Sequence, residues 1–214
     1  MNAPLPRRRD EARALFRNAI LDSAEAVFAD KGFHGARLQD IAARARIAVG
    51  TVYNHFEDKD AVLAALLEER SEEMLARFRP APGDRGAFRA RLEARMARVL
   101  AYVLEHRAFF TIANEHGVFA GSAAPGAGGA GKGLKRVERF RAAFRAIVEE
   151  GIASGDLEPL RADTMVRFLG GTLRAFVLST LDEPQPDADR NASTIVELFL
   201  HGAARRKART KPAR

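Results

Sequence analysis

Three short helical segments before residue 57 constrain the fold of this chain more than any other feature of its sequence. Apolar residues recur at helical spacing in residues 11–30, and again in residues 38–45 and 49–56. The second and third segments are separated by only about three residues, 46–48. This spacing is typical of a helix-turn-helix.

The rest of the chain also has the apolar periodicity of helices. Further helices are predicted, in chain order, over residues 58–79, 85–106, 108–116, 134–154, 162–181 and 188–206. No segment has the alternating pattern of a strand, so the predicted fold class is all-α. We expect four regions: a basic disordered arm (1–11), the helix-turn-helix domain (12–60), a second helical domain (61–204) and a basic tail (205–214).

Composition limits the kind of protein and its location. Apolar residues make up 47% of the 214 residues, enough for a core, and the chain has no cysteine. No run of about 18 apolar residues is present, and no apolar segment follows the N-terminal arginines. We therefore expect a cytoplasmic protein with neither a membrane-spanning helix nor a secretory signal.

The net charge of +7 is concentrated at the two ends of the chain. Nine of the 35 lysines and arginines lie in residues 7–9 and 205–214, which leaves 26 basic against 28 acidic residues elsewhere. Two interpretations stay open. The basic ends either attract nucleic acid or are solvated segments that keep the protein soluble.

The third helical segment has two chemically different sides. On a helical wheel, Val49, Val52 and Phe56 share the apolar side. The other side is small and hydrogen-bonding, and consists of Gly50, Thr51, Asn54 and His55, with Tyr53 at its edge. Such a surface suits the major groove of DNA, where a helix approaches base edges and phosphates closely.

Lys59 lies in the first turn of the next helix, for which Asp58 is the predicted N-cap. The free N–H groups of a helix N-terminus favour anions. A lysine there is electrostatically out of place unless a phosphate is its partner. We therefore predict that Lys59 clamps a DNA phosphate.

The segment around Gly50–Phe56 resembles the DNA-binding domain of the TetR family of transcriptional regulators. The family pattern G-T-[LV]-Y-x-[HY]-F, followed by a short turn and a lysine, is matched by GTVYNHF and Lys59, and the resemblance covers about residues 12–66. It implies DNA contacts by Thr51, Tyr53, His55 and Lys59. The predicted interface also includes Arg37, Gln39, Gly50 and Asn54.

The turn residues depart from the family pattern at three positions. Arg37 stands where Thr or Ser usually precedes the second helix, and an arginine cannot cap as Thr does. Arg46 replaces the usual turn glycine, which costs about 1 kcal/mol if that residue is left-handed. Ala48 supplies no cap for the third helix.

The resemblance also implies a function for the second domain. In the family this domain binds an effector and dimerises, commonly through the last two long helices. Candidate effector contacts are Phe110, Asn114, His116, Phe144 and Arg174. Candidate dimer contacts are Met165, Leu169, Thr172, Phe176, Ile195, Leu198 and Phe199, with Gly170 and Gly171 allowing close approach. We expect a homodimeric repressor that binds a palindromic operator in double-stranded DNA and is released by a small, largely apolar effector.

Other functions find less support in the sequence. The five histidines lack metal-ligand spacing, and no nucleophile motif is present, so we expect no metal, no cofactor and no enzyme activity. The glycine-rich stretch 117–133 lacks the phosphate-loop pattern and is predicted to be a plain loop. Two alternatives stay open. One is a helical enzyme or small-molecule carrier without DNA function, and the other is a non-specific nucleic-acid or membrane-surface binder that acts through the basic ends.

Overall fold

The helical pattern of the sequence is realised throughout the part of the chain that the structure describes, residues 5–115 and 130–203. The structure is a computed structural model. Its α-helices are, in chain order, α1 (Leu5–Gly35), α2 (Leu38–Ala45), α3 (Val49–Tyr53), α4 (Lys59–Arg77), α5 (Phe88–Glu105), α6 (Arg107–Glu115), α7 (Ala130–Ala153), α8 (Ala162–Asp182) and α9 (Ala188–Ala203). A short 3₁₀-helix (Pro159–Arg161) precedes α8. The all-α fold class is confirmed.

Most predicted helices are present, with different ends. Helix α2 has the predicted bounds, whereas α3 ends at Tyr53, three residues earlier than expected. Helix α1 begins at Leu5, so the prediction of a disordered arm was wrong for residues 5–11. Helix α7 begins at Ala130, which shortens the predicted loop. The rest of that loop and the basic tail lie outside the described residues.

The end of α1 depends on a glycine. Gly32 has φ 69° and ψ 162°, values that interrupt the helix, and the Ala36 N–H then donates to the Gly32 carbonyl at 3.2 Å. Glycine adopts positive φ without the steric cost that a Cβ brings. This break lies two residues beyond the predicted helical segment 11–30, and it turns the chain towards α2.

The described residues form two compact units. The first extends to Glu72 and also includes residues from His106 to Arg136, so it continues along α4 beyond the expected boundary at residue 60. Helix α1 packs against α2 and α6 in this unit, and α2 packs against α3. The buried side chains include Ile20, Leu21, Phe28, Ile41, Val52, Phe56 and Leu66.

Some apolar residues of the first unit lie outside this core, among them Phe16 and Val49. Phe16 belongs to the apolar stripe of residues 11–30, and Val49 was predicted on the apolar side of its helix, but they are 44% and 38% exposed. Both positions precede the first fully buried residues of their helices, Ile20 and Val52. The helical period therefore predicted the correct face but not where burial along that face begins.

The second unit contains Glu73–Glu105 and the chain from Val137 onwards. Helix α5 packs against α9 and α8, and α8 packs against α9. Their shared core includes Leu92, Met96, Val99, Leu100, Leu173 and Val196. Burial of each such aliphatic side chain stabilises the fold by about 1.5–3 kcal/mol relative to an exposed one.

This core corrects four of the predicted dimer contacts. Met165, Leu169, Ile195 and Phe199 are at most 4% exposed within a single chain. They fill the core between α5, α8 and α9, so they have no surface left to offer a second copy. The other three candidates reach the surface: Thr172 and Phe176 are half-buried, and Leu198 is 50% exposed.

Candidate functional site

The turn between α2 and α3 is built around a left-handed arginine. Arg46 has φ 56° and ψ 40°, and no other described non-glycine residue has positive φ. Its backbone N–H donates to the Ala43 carbonyl at 3.2 Å, and the Ile47 N–H donates to the Ala42 carbonyl at 3.1 Å. These bonds satisfy carbonyls at the end of α2. The sequence correctly placed the strained residue of the turn at Arg46.

The start of α2 is stabilised in a way that the sequence reading missed. Arg37 is extended and provides no side-chain cap, as expected. The Asp40 carboxylate accepts the Arg37 backbone N–H at 3.0 Å and the Lys31 ammonium at 2.7 Å. The hydrogen bond from Lys31 holds the pKa of Asp40 below its usual value. Asp40 thus supplies one half of a capping box, which was readable as an acidic residue three positions after the N-cap.

Helix α3 presents most of its predicted polar side to solvent. Gly50, Tyr53 and Asn54 are exposed, Thr51 is half-buried, and Val52 is fully buried. Tyr53 is 51% exposed, so its ring does not lie in the core. The predicted interface residues of α2, Arg37 and Gln39, are exposed as well. Ala48 precedes α3 without a side-chain cap, as the sequence predicted.

His55 follows α3 and is half-buried. Burial, aided by the positive charges of Arg13 and Arg17 on α1, lowers the pKa of its imidazole. Because the usual value is about 6.5, the imidazole is neutral at pH 7. In that state it can accept one hydrogen bond and donate one, but it carries no charge to attract a phosphate.

Lys59 has protein partners that the sequence reading did not foresee. Its ammonium donates to the carbonyl oxygens of Phe33 and His34, at 3.0 and 3.1 Å, and lies 4.7 Å from the centre of the Phe33 ring. The premise that only a phosphate could accompany this lysine was therefore wrong. Lys59 is held against the carbonyls at the end of α1, and one of its three N–H donors stays available.

Asp58 is the N-cap of α4, as predicted. Its carboxylate accepts the Ala61 N–H at 2.7 Å. The cap fixes the start of α4, and with it the backbone position of Lys59, next to the end of α1. The turn after α3 therefore has a defined geometry, which keeps Lys59 close to the predicted recognition segment.

Two further arginines belong to this surface. Arg44 and Arg46 are both exposed, at the end of α2 and in the turn. Charged side chains next to a recognition helix contact phosphates and fix the register of the protein on DNA. Their signal in the sequence is the run Arg44-Ala45-Arg46, in which Arg46 is also the turn residue.

The candidate effector residues are divided between the two units. Phe110 is buried and Asn114 exposed in the first unit, whereas Phe144 is half-buried and Arg174 exposed in the second. The Phe144 ring lies 5.2 Å from the Phe78 ring in an edge-on arrangement, as expected of a core aromatic. His116 lies outside the described residues. The structure therefore gives no support to these five residues as a set.

Metal and membrane sites find no support in the described part of the chain. No group of three or more histidine, aspartate and glutamate side chains is placed there to hold a metal ion. None of the described helices is both long and apolar enough to cross a membrane.

The geometry of α2, the left-handed turn and α3 defines a helix-turn-helix DNA-binding domain. The family model "Bacterial regulatory proteins, tetR family" matches residues 20–66. Residues 20–66 are therefore similar to the DNA-binding domain of the TetR family.

Individual relatives agree with this assignment. The HTH-type transcriptional regulator UidR of Escherichia coli (strain K12) is 40% identical over 63 residues, which are 29% of this chain and 32% of UidR. The HTH-type transcriptional repressor DhaR of Mycobacterium sp. (strain GP1) is 38% identical over 58 residues, 27% of this chain and 29% of DhaR. These matches span about a third of the length of the relatives.

The likeness to solved structures extends over both units. The transcriptional regulator FadR of Bacillus subtilis, solved in complex with stearoyl-CoA, has a TM-score of 0.70 at 20% identity. The alignment covers 86% of this chain and 97% of FadR. At that identity the likeness shows a common fold and nothing more.

Proposed function

We propose that the protein is a transcriptional repressor that binds a palindromic operator as a homodimer and is released by a small, largely apolar effector. The observation that carries the proposal is the helix-turn-helix with its polar, exposed α3 surface. One such motif contacts few base pairs, and a two-fold dimer doubles the contacts. Such a protein acts where the DNA is, in the cytoplasm.

The α3 surface supports close contact with DNA. Nothing lies within 4 Å of the point where a Cβ would stand on Gly50, so the backbone there is open to a partner. Thr51 and Asn54 offer short hydrogen-bonding groups for base edges, and Tyr53 offers an exposed hydroxyl for a phosphate. Arg44 and Arg46 add positive charge beside them.

Two exposed apolar side chains on the last two helices support the dimer. Phe168 on α8 is 46% exposed and Leu198 on α9 is 50% exposed. The Phe168 ring stacks on the buried Phe199 ring at a centroid distance of 6.4 Å, which gives the exposed ring a fixed base. Gly171 has open space around its Cα and would let a partner helix approach closely. Thr172, Phe176 and Leu198 stay proposed dimer contacts, and Phe168 joins them.

The effector part of the proposal rests on the second unit and on the relatives. The helical core of this unit is far larger than a DNA anchor needs, and FadR of Bacillus subtilis, which shares the fold, was solved with stearoyl-CoA. An effector that favours the DNA-free conformation by about 1–3 kcal/mol would weaken operator binding roughly 5–150-fold. Operator DNA would weaken effector binding by the same factor.

Selection of bound DNA from a random library tests the DNA-binding part. We expect a two-fold symmetric sequence, whose selection requires Thr51 and Asn54. Recovery of DNA without a common sequence would refute specific operator binding and favour a non-specific role of the basic ends.

Light scattering tests the dimer. Leu198→Glu should convert the dimer to a monomer at micromolar concentration and weaken operator binding. The matched control is Leu15→Glu, which changes a leucine of α1 that is 71% exposed. A wild-type monomer, or equal effects of the two substitutions, would contradict the proposed interface.

A further inference from the structure

Three arginines are buried among the side chains that the structure describes: Arg70 (6% exposed), Arg95 (2%) and Arg136 (8%). A buried guanidinium keeps its charge and is costly to desolvate, so it normally has a carboxylate partner. The partners of these three arginines therefore show which charges the fold itself compensates.

The first two arginines follow this rule. Arg70 on α4 lies 2.6 Å from a carboxylate oxygen of Glu25 and 3.1 Å from one of Asp22, both on α1. Arg95 on α5 forms an ion pair with Glu150 at 2.6 Å and lies 3.6 Å from Asp84. Each of these guanidinium groups is compensated by two carboxylates.

Arg136 on α7 does not follow it. No hydrogen bond or ion pair joins its side chain to another described residue, although it is almost as deeply buried as Arg70. The exposed carboxylate of Glu68, on α4 in the same unit, attracts it only through space. Burial lowers the pKa of the Arg136 guanidinium, in keeping with a charge that lacks a close partner.

We propose that Arg136 binds the anionic headgroup, a carboxylate or a phosphate, of an amphipathic effector. This inference rests on the proposed function and assigns a chemical class to the effector: an apolar body with one oxyanion. A guanidinium offers parallel N–H donors that match the two oxygens of either headgroup. Within residues 5–115 and 130–203, no carboxylate forms an ion pair with those donors, and an incoming anion would supply one.

The experiment compares two variants that remove the same charge. Arg136→Met keeps much of the length of the side chain, and Lys135→Met changes the exposed neighbouring residue as the matched control. The probes are decanoate, decyl phosphate and decan-1-ol, which share an alkyl chain and differ in the headgroup. Binding is measured by thermal shift and isothermal titration, and operator release by fluorescence anisotropy of a labelled operator.

We expect at least one of the two anions to bind both wild type and Lys135→Met. The same anion should bind Arg136→Met at least about tenfold more weakly, because this variant loses hydrogen bonds to a charged group. Preference for decanoate or for decyl phosphate identifies the headgroup. Without ligand, Arg136→Met should melt no lower than wild type, because it removes an uncompensated charge. Arg70→Met should melt lower, because it removes the ion pairs with Glu25 and Asp22.

Three results would overturn the inference: decan-1-ol binds as tightly as the anions, neither anion binds, or Lys135→Met loses binding as Arg136→Met does. Operator binding by unliganded wild type is measured in the same series. Its absence would refute the proposed repressor, whereas the thermal shift reports on the anion site independently of DNA.

Discussion

The left-handed Arg46 provides a sharp test of how the helix-turn-helix is stabilised. At φ 56° its Cβ crowds the backbone, which costs roughly 1–2 kcal/mol relative to a glycine in the same conformation. Glycine also raises the conformational entropy of the unfolded chain, which offsets about 0.4–1 kcal/mol of this gain in folding stability. Arg46→Gly should therefore stabilise the protein by about 0.5–1 kcal/mol.

Arg44→Gly is the matched control. Arg44 is also an exposed arginine, two residues earlier, but it lies within α2 and does not have positive φ. Glycine inside a helix costs about 0.8–1 kcal/mol relative to alanine, so this variant should be destabilised by nearly that amount. Both variants replace an exposed arginine by glycine. The difference of roughly 1.5 kcal/mol between their free energies of unfolding therefore reports the backbone conformation at the two positions.

Urea unfolding followed by the helical circular dichroism signal measures this difference, and calorimetry should separate the melting temperatures by about 3–6 °C for a chain of this size. If Arg46→Gly were no more stable than Arg44→Gly, the left-handed turn would not exist in solution. The turn that joins α2 to α3 would then have a different backbone conformation.

Three other substitutions and one pH series test separate parts of the structure. Ala48→Ser should stabilise the protein by about 1 kcal/mol in urea unfolding, because it gives α3 the side-chain cap that Ala48 lacks; an unchanged midpoint would contradict this. Gly151→Ala should destabilise it by about 1–3 kcal/mol in the same assay, since the new Cβ would lie 2.5 Å from Leu157 Cδ1 and 2.7 Å from Phe88 Cζ, both buried. Gly83→Ala is the control and should be harmless, because nothing lies within 4 Å of the new Cβ. Lys59→Met should lower the melting temperature through the lost bonds to Phe33 and His34, and should lower the salt slope of operator binding by about one only if Lys59 also contacts a phosphate. The pKa of His55 is lower in the folded protein, so as pH falls below about 6.5 the unfolded chain is protonated first and the folded state loses stability. Melting temperatures between pH 5 and 7.5 should therefore fall less in His55→Gln than in wild type.

The helix-turn-helix could be predicted in detail because its determinants are local. The spacing of apolar residues gave the bounds of α2, and the lack of a glycine at Arg46 and of a cap at Ala48 were both visible in the sequence. Capping and turn strain act within a few residues along the chain, so a single sequence contains all the groups involved.

The partner of Lys59 could not be predicted in the same way. Local electrostatics correctly identified a lysine at a helix N-terminus as unfavourable, but the carbonyls that accept its hydrogen bonds belong to Phe33 and His34, 26 and 25 residues earlier. Their orientation depends on the positive φ of Gly32 and on the packing of α1 against α2. A contact created by tertiary packing leaves no periodic signal in the sequence.

The dimer candidates show a related limit of helical periodicity. The apolar stripe of α9 contains Ile195, Leu198 and Phe199, and a wheel gives each of them a similar apolar position. Packing separates them, because Ile195 and Phe199 meet α5 and α8 within the chain, whereas Leu198, about a quarter-turn from Phe199, stays 50% exposed. Periodicity predicts that a face is buried, but it cannot say whether the same chain or a second copy buries it. For that reason Leu198, and not Ile195 or Phe199, is the residue whose change to glutamate can separate dimerisation from folding.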